Sequence, residues 1–141
     1  GCERLADLTR NFPHWFRPDL DRYAGAEQRL PFDQHFVLAL VAPRALLSVD
    51  AAGDKWANPY GTGASHLGAR PLFRFLGAEA KLGISFRPGD HELADRDWRT
   101  LMDFADRLFG RDPQPGSAGR AFDQLIRPVS PPPFSWKSPG E

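Results

Sequence analysis

The sequence predicts an α/β fold with parallel strands joined by crossover helices, and three observations carry that prediction. Two short β-type runs, Ala45–Val49 and Lys81–Phe86, are separated by a helical pattern. A second, better helical pattern follows the later run. Each run also leads at once into a loop bearing a reactive side chain, Asp54 after the first and His91 after the second. Strands that alternate with helices need crossover connections and therefore pair in parallel.

In chain order, residues 1–30 read as irregular. Asn11–Pro18 packs two prolines and three rings into eight residues, the mark of a packed loop. Leu30–His35 opens a helix, with Pro31 at an early position where its missing N–H costs nothing. That helix runs through Phe36–Val41 and stops before Pro43, because the residue preceding a proline avoids the α region. Its nearly continuous apolar residues predict burial. Residues 50–62, with Gly53, Pro59 and Gly61, form a loop. A helix follows from Ala64 to Leu76, capped by Gly77. After Lys81–Phe86 and the loop 87–93, Trp98, Leu101, Met102, Ala105, Leu108 and Phe109 recur at the spacing of one helix face. Asp95 and Asp97 favour its first turn through the helix dipole, and Gly110 ends it. Residues 1–110 thus make up the domain portion. Residues 111–141, with Pro113, Pro115 and Pro131–Pro133, read as a proline-rich tail, in which Phe122–Ile126 forms a short island able to dock.

The 141 residues carry 18 basic and 18 acidic side chains, a net charge of zero. That balance argues against nucleic acid or an anionic membrane surface as the main partner, since both demand a basic face. No run approaches the roughly 20 apolar residues of a membrane helix. The single cysteine, Cys2, has no internal disulfide partner; it is a plain thiol or pairs with a residue upstream. The abrupt Gly1-Cys2-Glu3-Arg4 start is that expected of a fragment. Aromatic residues are frequent, with 11 Phe and 4 Trp. Most are expected in the core, although ring-rich loops also suit carbohydrate binding.

An acid after one parallel strand and a histidine after the next are the last two members of the Ser, Asp/Glu, His order of an α/β-hydrolase triad. Histidine is the natural base for a serine hydroxyl near neutral pH, and the acid holds its tautomer and stabilises the imidazolium. Taken alone, the residues leave a second reading, with His91 a surface loop histidine and Asp54 a turn former beside Gly53. The chain contains no G-x-S-x-G, and Ser48, Ser65, Ser85 and Ser117 lack an elbow context. The fold expected is therefore the C-terminal portion of an α/β-hydrolase with an incomplete sheet. Asp90-His91-Glu92 does not make a metal site, because adjacent side chains seldom point at one ion; no metal and no cofactor are expected. His14, His35 and His66 read as structural. Trp56 is either a platform for a sugar ring or a loop anchor.

Five stretches in order carry a more specific signal: Asn11–Phe16, Leu30–His35, Leu38–Arg44, Asp54–Pro59, and Arg87–Leu93 followed by Asp97-Trp98 and Asp103–Asp106. Across roughly residues 9–109 they resemble the C-terminal half of the glucuronoyl esterases, carbohydrate esterase family 15. The resemblance implies a metal-free serine esterase of α/β-hydrolase fold, cleaving esters between glucuronoxylan and lignin alcohols. It implies His91 as the catalytic histidine and Asp54 as the acid that many bacterial members carry after the seventh strand, other members placing a Glu after the preceding strand, upstream of this chain. It also implies Trp56 in the sugar pocket and a secreted or periplasmic location. Asn58 stands where the family usually has Asp, and Ala94 where Thr commonly caps the last helix. The nucleophile and its flanking arginine are missing, so the isolated chain is expected to be inactive, with the N-terminal half of the domain as its partner. An open sheet edge is expected to favour association. The alternatives are an acetyl xylan esterase-like hydrolase, or a non-catalytic module that binds glycan or protein through Trp15 and Trp56.

Overall fold

Strands β1 (Leu46–Ala51) and β2 (Leu82–Arg87) pair in parallel, with Leu46 opposite Leu82 and Ala51 opposite Arg87. The computed structural model describes residues 2–111 and Phe122, and among them these two strands form the sheet. Around it lie α1 (Leu5–Asn11), α2 (Gln34–Ala39), the crossover α3 (Pro59–Phe75) and α4 (Asp95–Leu108), with short 3-10 turns at Pro13–Trp15, Pro18–Tyr23, Glu27–Arg29 and Glu79–Lys81. The strands fall within two residues of their expected places, and α4 begins at the expected acidic turn.

Alternation along the strands sets the two layers. Leu46 and Leu82 meet the α2–α3 layer, where Ala69, Phe73 and Ala78 are buried against Leu38, Ala39, Val41 and Ala42. Gly83 and Leu47 meet α4. A Cβ on Gly83 would lie 2.8 Å from Phe104 Cε2 and 3.0 Å from Leu47 Cδ1, so glycine lets α4 rest directly on the sheet. His66 bolts α3 to β2, its ring nitrogens 3.2 Å from the Thr62 carbonyl and 3.1 Å from the Gly83 carbonyl. Burial pulls its pKa below the ordinary value, against the two carbonyls, which act to raise it.

The caps of α3 follow from sequence. Asn58 takes the left-handed conformation (φ +56°) that Asn tolerates, and its Oδ1 accepts the Gly61 amide at 3.1 Å. Pro59 then occupies the first helical position. The helix therefore starts five residues before the expected Ala64, because Pro59 and Gly61 serve as a start signal rather than as breakers. At the far end Gly77 (φ +65°) donates to the Arg74 carbonyl at 2.9 Å, and Ala78 donates to that of Phe73 at 2.8 Å. This is the paired closure of a left-handed C-terminus.

Two other expectations are corrected. Residues 1–30 are not irregular throughout: α1 forms where Asp7 accepts the Arg4 amide at 3.1 Å, and Thr9 ties it to Asp21 at 2.9 Å. Helix α2 begins after Asp33, whose carboxylate accepts the Gln34 amide at 2.7 Å. Pro31 lies outside it, and the helix is not buried, Leu40 at its end being 77% exposed. The apolar stripe read on α4, whose direction the spacing leaves open, does not face the core. Asp97, Thr100 and Phe104 are buried, while Trp98, Leu101, Met102 and Phe109 point outward, Phe109 with 75% of its surface exposed.

Of the proline-rich tail, only Arg111 and Phe122 lie within the described residues. The Phe122 carbonyl accepts the Ile84 amide at 3.1 Å and its ring meets Phe104 edge-on at 5.1 Å. The expected island therefore docks at its first residue, on the outer edge of β2; the rest of it, with Ser117, Phe134 and Trp136, falls outside the described residues. Among the described residues no helix is long and apolar enough to cross a membrane.

Candidate active site

The loops that leave β1 and β2 are laced together. Ala52 N donates to the Arg87 carbonyl at 2.7 Å, and Gly53 N donates to the Gly89 carbonyl at 3.0 Å. This approach requires glycine at 53, since a Cβ there would sit 2.5 Å from the Gly89 oxygen and 2.8 Å from Asp90 Oδ1. Gly89 itself adopts φ +109°, a region closed to most side chains. The lacing puts Asp54 and His91 side by side at the C-terminal ends of parallel strands, where open α/β sheets place their ligands.

His91 Nδ1 lies 2.7 Å from Asp54 Oδ2. An ionised carboxylate only accepts, so Nδ1 carries the hydrogen and Nε2 keeps the lone pair that can receive a proton. The ring stands in solvent with 85% of its side chain exposed, whereas Asp54 is 9% exposed. Desolvation acts to raise the Asp54 carboxyl. The hydrogen bond from His91 and those from the Ala57 and Trp56 amides outweigh it, so the pKa lies below the usual aspartate value. The acid therefore stays ionised beside its imidazole.

Both groups open onto a cavity of about 650 Å³ lined by Glu3, Phe12, Trp15, Lys55, Trp56 and Asp90. Trp56 is 63% exposed on this wall, and its carbonyl accepts the Glu3 amide at 3.2 Å. Phe12 and Trp15, also in the lining, stack with centroids 4.3 Å apart and planes 13° apart. His14 meets Trp15 edge-on, His35 lies against Phe36 in α2, and His66 is in the interior; none of the three lines the cavity. Ser48 and Ser85 are strand residues and Ser65 lies inside α3. Glu3, Phe12 and Lys55 are lining residues that sequence reasoning did not single out. Phe12 carried a signal in its ring-dense stretch, and Glu3 carried none. Among the described residues no cluster of His, Cys, Asp and Glu is placed to hold a metal ion.

Parallel strands, a crossover helix, and an imidazole–carboxylate pair on adjoining strand ends define part of an α/β-hydrolase. The comparisons with known proteins narrow the class. A family model described as "Glucuronyl esterase, fungi" matches residues 4–77. Carbohydrate esterase MZ0003, from an unknown prokaryotic organism, is 35% identical over 119 residues, 74% of this chain and 28% of that one. A 4-O-methyl-glucuronoyl methylesterase of Podospora anserina is 34% identical over 98 residues, 60% of this chain and 20% of that one. Among solved structures, a carbohydrate esterase family 15 glucuronoyl esterase from Caldicellulosiruptor kristjansonii superposes with a TM-score of 0.85 at 33% identity, over 99% of this chain and 35% of that chain. The chain belongs to the glucuronoyl esterase family. It spans about a quarter of the length of the curated relatives it matches.

Proposed function

We propose that this chain supplies the base, its orienting acid and the sugar-side wall of a serine carbohydrate esterase that hydrolyses glucuronoyl esters. The reading is carried by the 2.7 Å contact between His91 Nδ1 and Asp54 Oδ2 at the mouth of an aromatic-walled cavity. His91 Nε2 takes the proton of a serine hydroxyl brought by the rest of an α/β-hydrolase domain, while Asp54 stabilises the imidazolium. The serine attacks the uronate carbonyl. His91 then returns the proton to the departing alcohol, and a second round with water releases the acid. Trp56 offers a face to the sugar ring, as exposed aromatic planes do for carbohydrate C–H surfaces. The substrate is a glucuronoxylan or lignin–carbohydrate ester, so the working protein is secreted or periplasmic. Residues 1–110 belong to the hydrolase domain and residues 111–141 follow it. Neither a metal nor a cofactor takes part in this scheme.

The test is a chimera in which this chain replaces the matching 35% of the Caldicellulosiruptor kristjansonii enzyme. It should hydrolyse benzyl glucuronate, and His91→Ala should lower kcat by at least about a thousandfold. The 141-residue chain alone should not turn over. A folded but inactive chimera, or one that keeps its rate after His91→Ala, would remove the proposal. Release of acetate from acetylated xylan in preference to the uronate ester would move the reading to an acetyl esterase.

A further inference from the structure

The last residue of β2 is an arginine whose side chain turns inward. Arg87 is 5% exposed, and among the described residues the hydrogen bonds and ion pairs of its guanidinium fork fall on α4 and on the loop that carries His91. Nε lies 2.9 Å and 2.8 Å from the two carboxylate oxygens of Asp97, itself buried on the first turn of α4. Asp97 is held in turn by the Ala94 amide, 2.8 Å from its Oδ2. Nη1 donates to the Pro88 carbonyl at 3.1 Å and faces Glu92 Oε1 at 3.5 Å. Nη2 donates to the Asp90 carbonyl at 3.4 Å and to the Glu92 carbonyl. The two carbonyls that bracket His91 in sequence are thus gathered by one nitrogen. Gly89 passes so close to the fork that a Cβ there would lie 2.7 Å from Nη1.

We propose that Arg87 is the positioning residue that sets the His91 ring on Asp54, with Asp97 fixing the plane of its fork. The planar guanidinium presents five donors in fixed directions, so it can bind a carboxylate on one edge and three carbonyls on the other. A lysine ammonium offers three donors from a single point and cannot span that arc. The inference rests on the proposed role of His91 as base, but its test reads the ring itself.

The experiment uses the ¹⁵N-labelled 141-residue chain in slightly alkaline solution, where ring-nitrogen chemical shifts report the tautomer of each histidine. In the wild type His91 should be the Nδ1–H form that Asp54 selects; a free imidazole favours Nε2–H. Arg87→Lys retains a cation opposite Asp97, and it should move His91 to predominantly Nε2–H, matching an Asp54→Asn reference. His66, which bridges α3 and β2, should keep its shifts, and the thermal transition should persist. His91 remaining Nδ1–H in a folded Arg87→Lys chain would overturn the proposal. So would a variant in which His66 and His91 change together with loss of the transition, since Arg87 would then be a strut between β2 and α4. A wild-type ring already in the Nε2–H form would instead sink the Asp54–His91 pairing that underlies both readings. An inactive chimera combined with the expected tautomer shift would leave the positioning role standing.

Discussion

Asp54 is the residue whose chemistry the structure defines best. Its carboxyl is held below the ordinary aspartate range although the pocket wall desolvates it, because His91 and two backbone amides favour the ionised form. A carboxyl with a depressed folded pKa contributes stability above its unfolded value, about 3.9, and loses that contribution as pH falls through the folded value. Asp54→Asn should therefore melt below the wild type at about pH 6, and the gap should narrow toward about pH 2.5. A gap that stays constant across the range would contradict the ionised pair. At this scale the sequence was legible where a residue's place follows directly from the strand before it, as for Asp54 and His91, which the structure brings to 2.7 Å. It was opaque where the role depends on which way a side chain turns. Arg87 in the sequence is one more charged residue at a strand end, and nothing local says that it folds back beneath its own loop to reach Asp97.

At the scale of elements, composition and punctuation located the strands because Pro43 and Gly53 bound the first and Gly89 follows the second. Helix α1 escaped detection because its seven residues make barely two turns, too few for a period to emerge. The direction in which the α4 stripe points was not legible, for a different reason. Spacing identifies an apolar stripe, but the side turned to the sheet is chosen by Gly83, which admits Phe104, and by the Arg87–Asp97 pair. The same contact gives a prediction. Gly83→Ala drives a methyl into the Phe104 ring and the Leu47 methyl, and should lower the free energy of unfolding by about 1–3 kcal/mol. Denaturant titration of the two proteins checks it, and equal midpoints would show that α4 does not press on the sheet.

At the scale of the molecule, two parallel strands among the described residues carry helices on both faces, while Trp98, Leu101 and Met102 of α4, Phe36 and Val37 of α2, and Leu40 just after it are open to solvent. Apolar surface on this scale drives association in water. The chain alone should form concentration-dependent oligomers by size exclusion with light scattering. A Leu101→Glu, Met102→Glu double variant should shift the population toward monomer with an unchanged circular dichroism spectrum. A wild-type chain that stays monomeric at high concentration would show that another segment of the same chain covers these faces. Sequence reasoning found the stripe on α4 and could not say what lies against it, because periodicity describes one helix and covering is a property of two.

The lacing of the Gly53 and Gly89 loops has a consequence for how this chemistry can be inherited. Asp54, His91, both strands, the crossover helix and the Arg87–Asp97 pair occupy one uninterrupted stretch from Leu46 to Asp97, so a single recombination can move the paired imidazole and carboxylate together with their supports. Exchanging either loop alone between homologues would bring a foreign backbone against a gap that admits no side chain, and the graft would separate the very groups it was meant to carry.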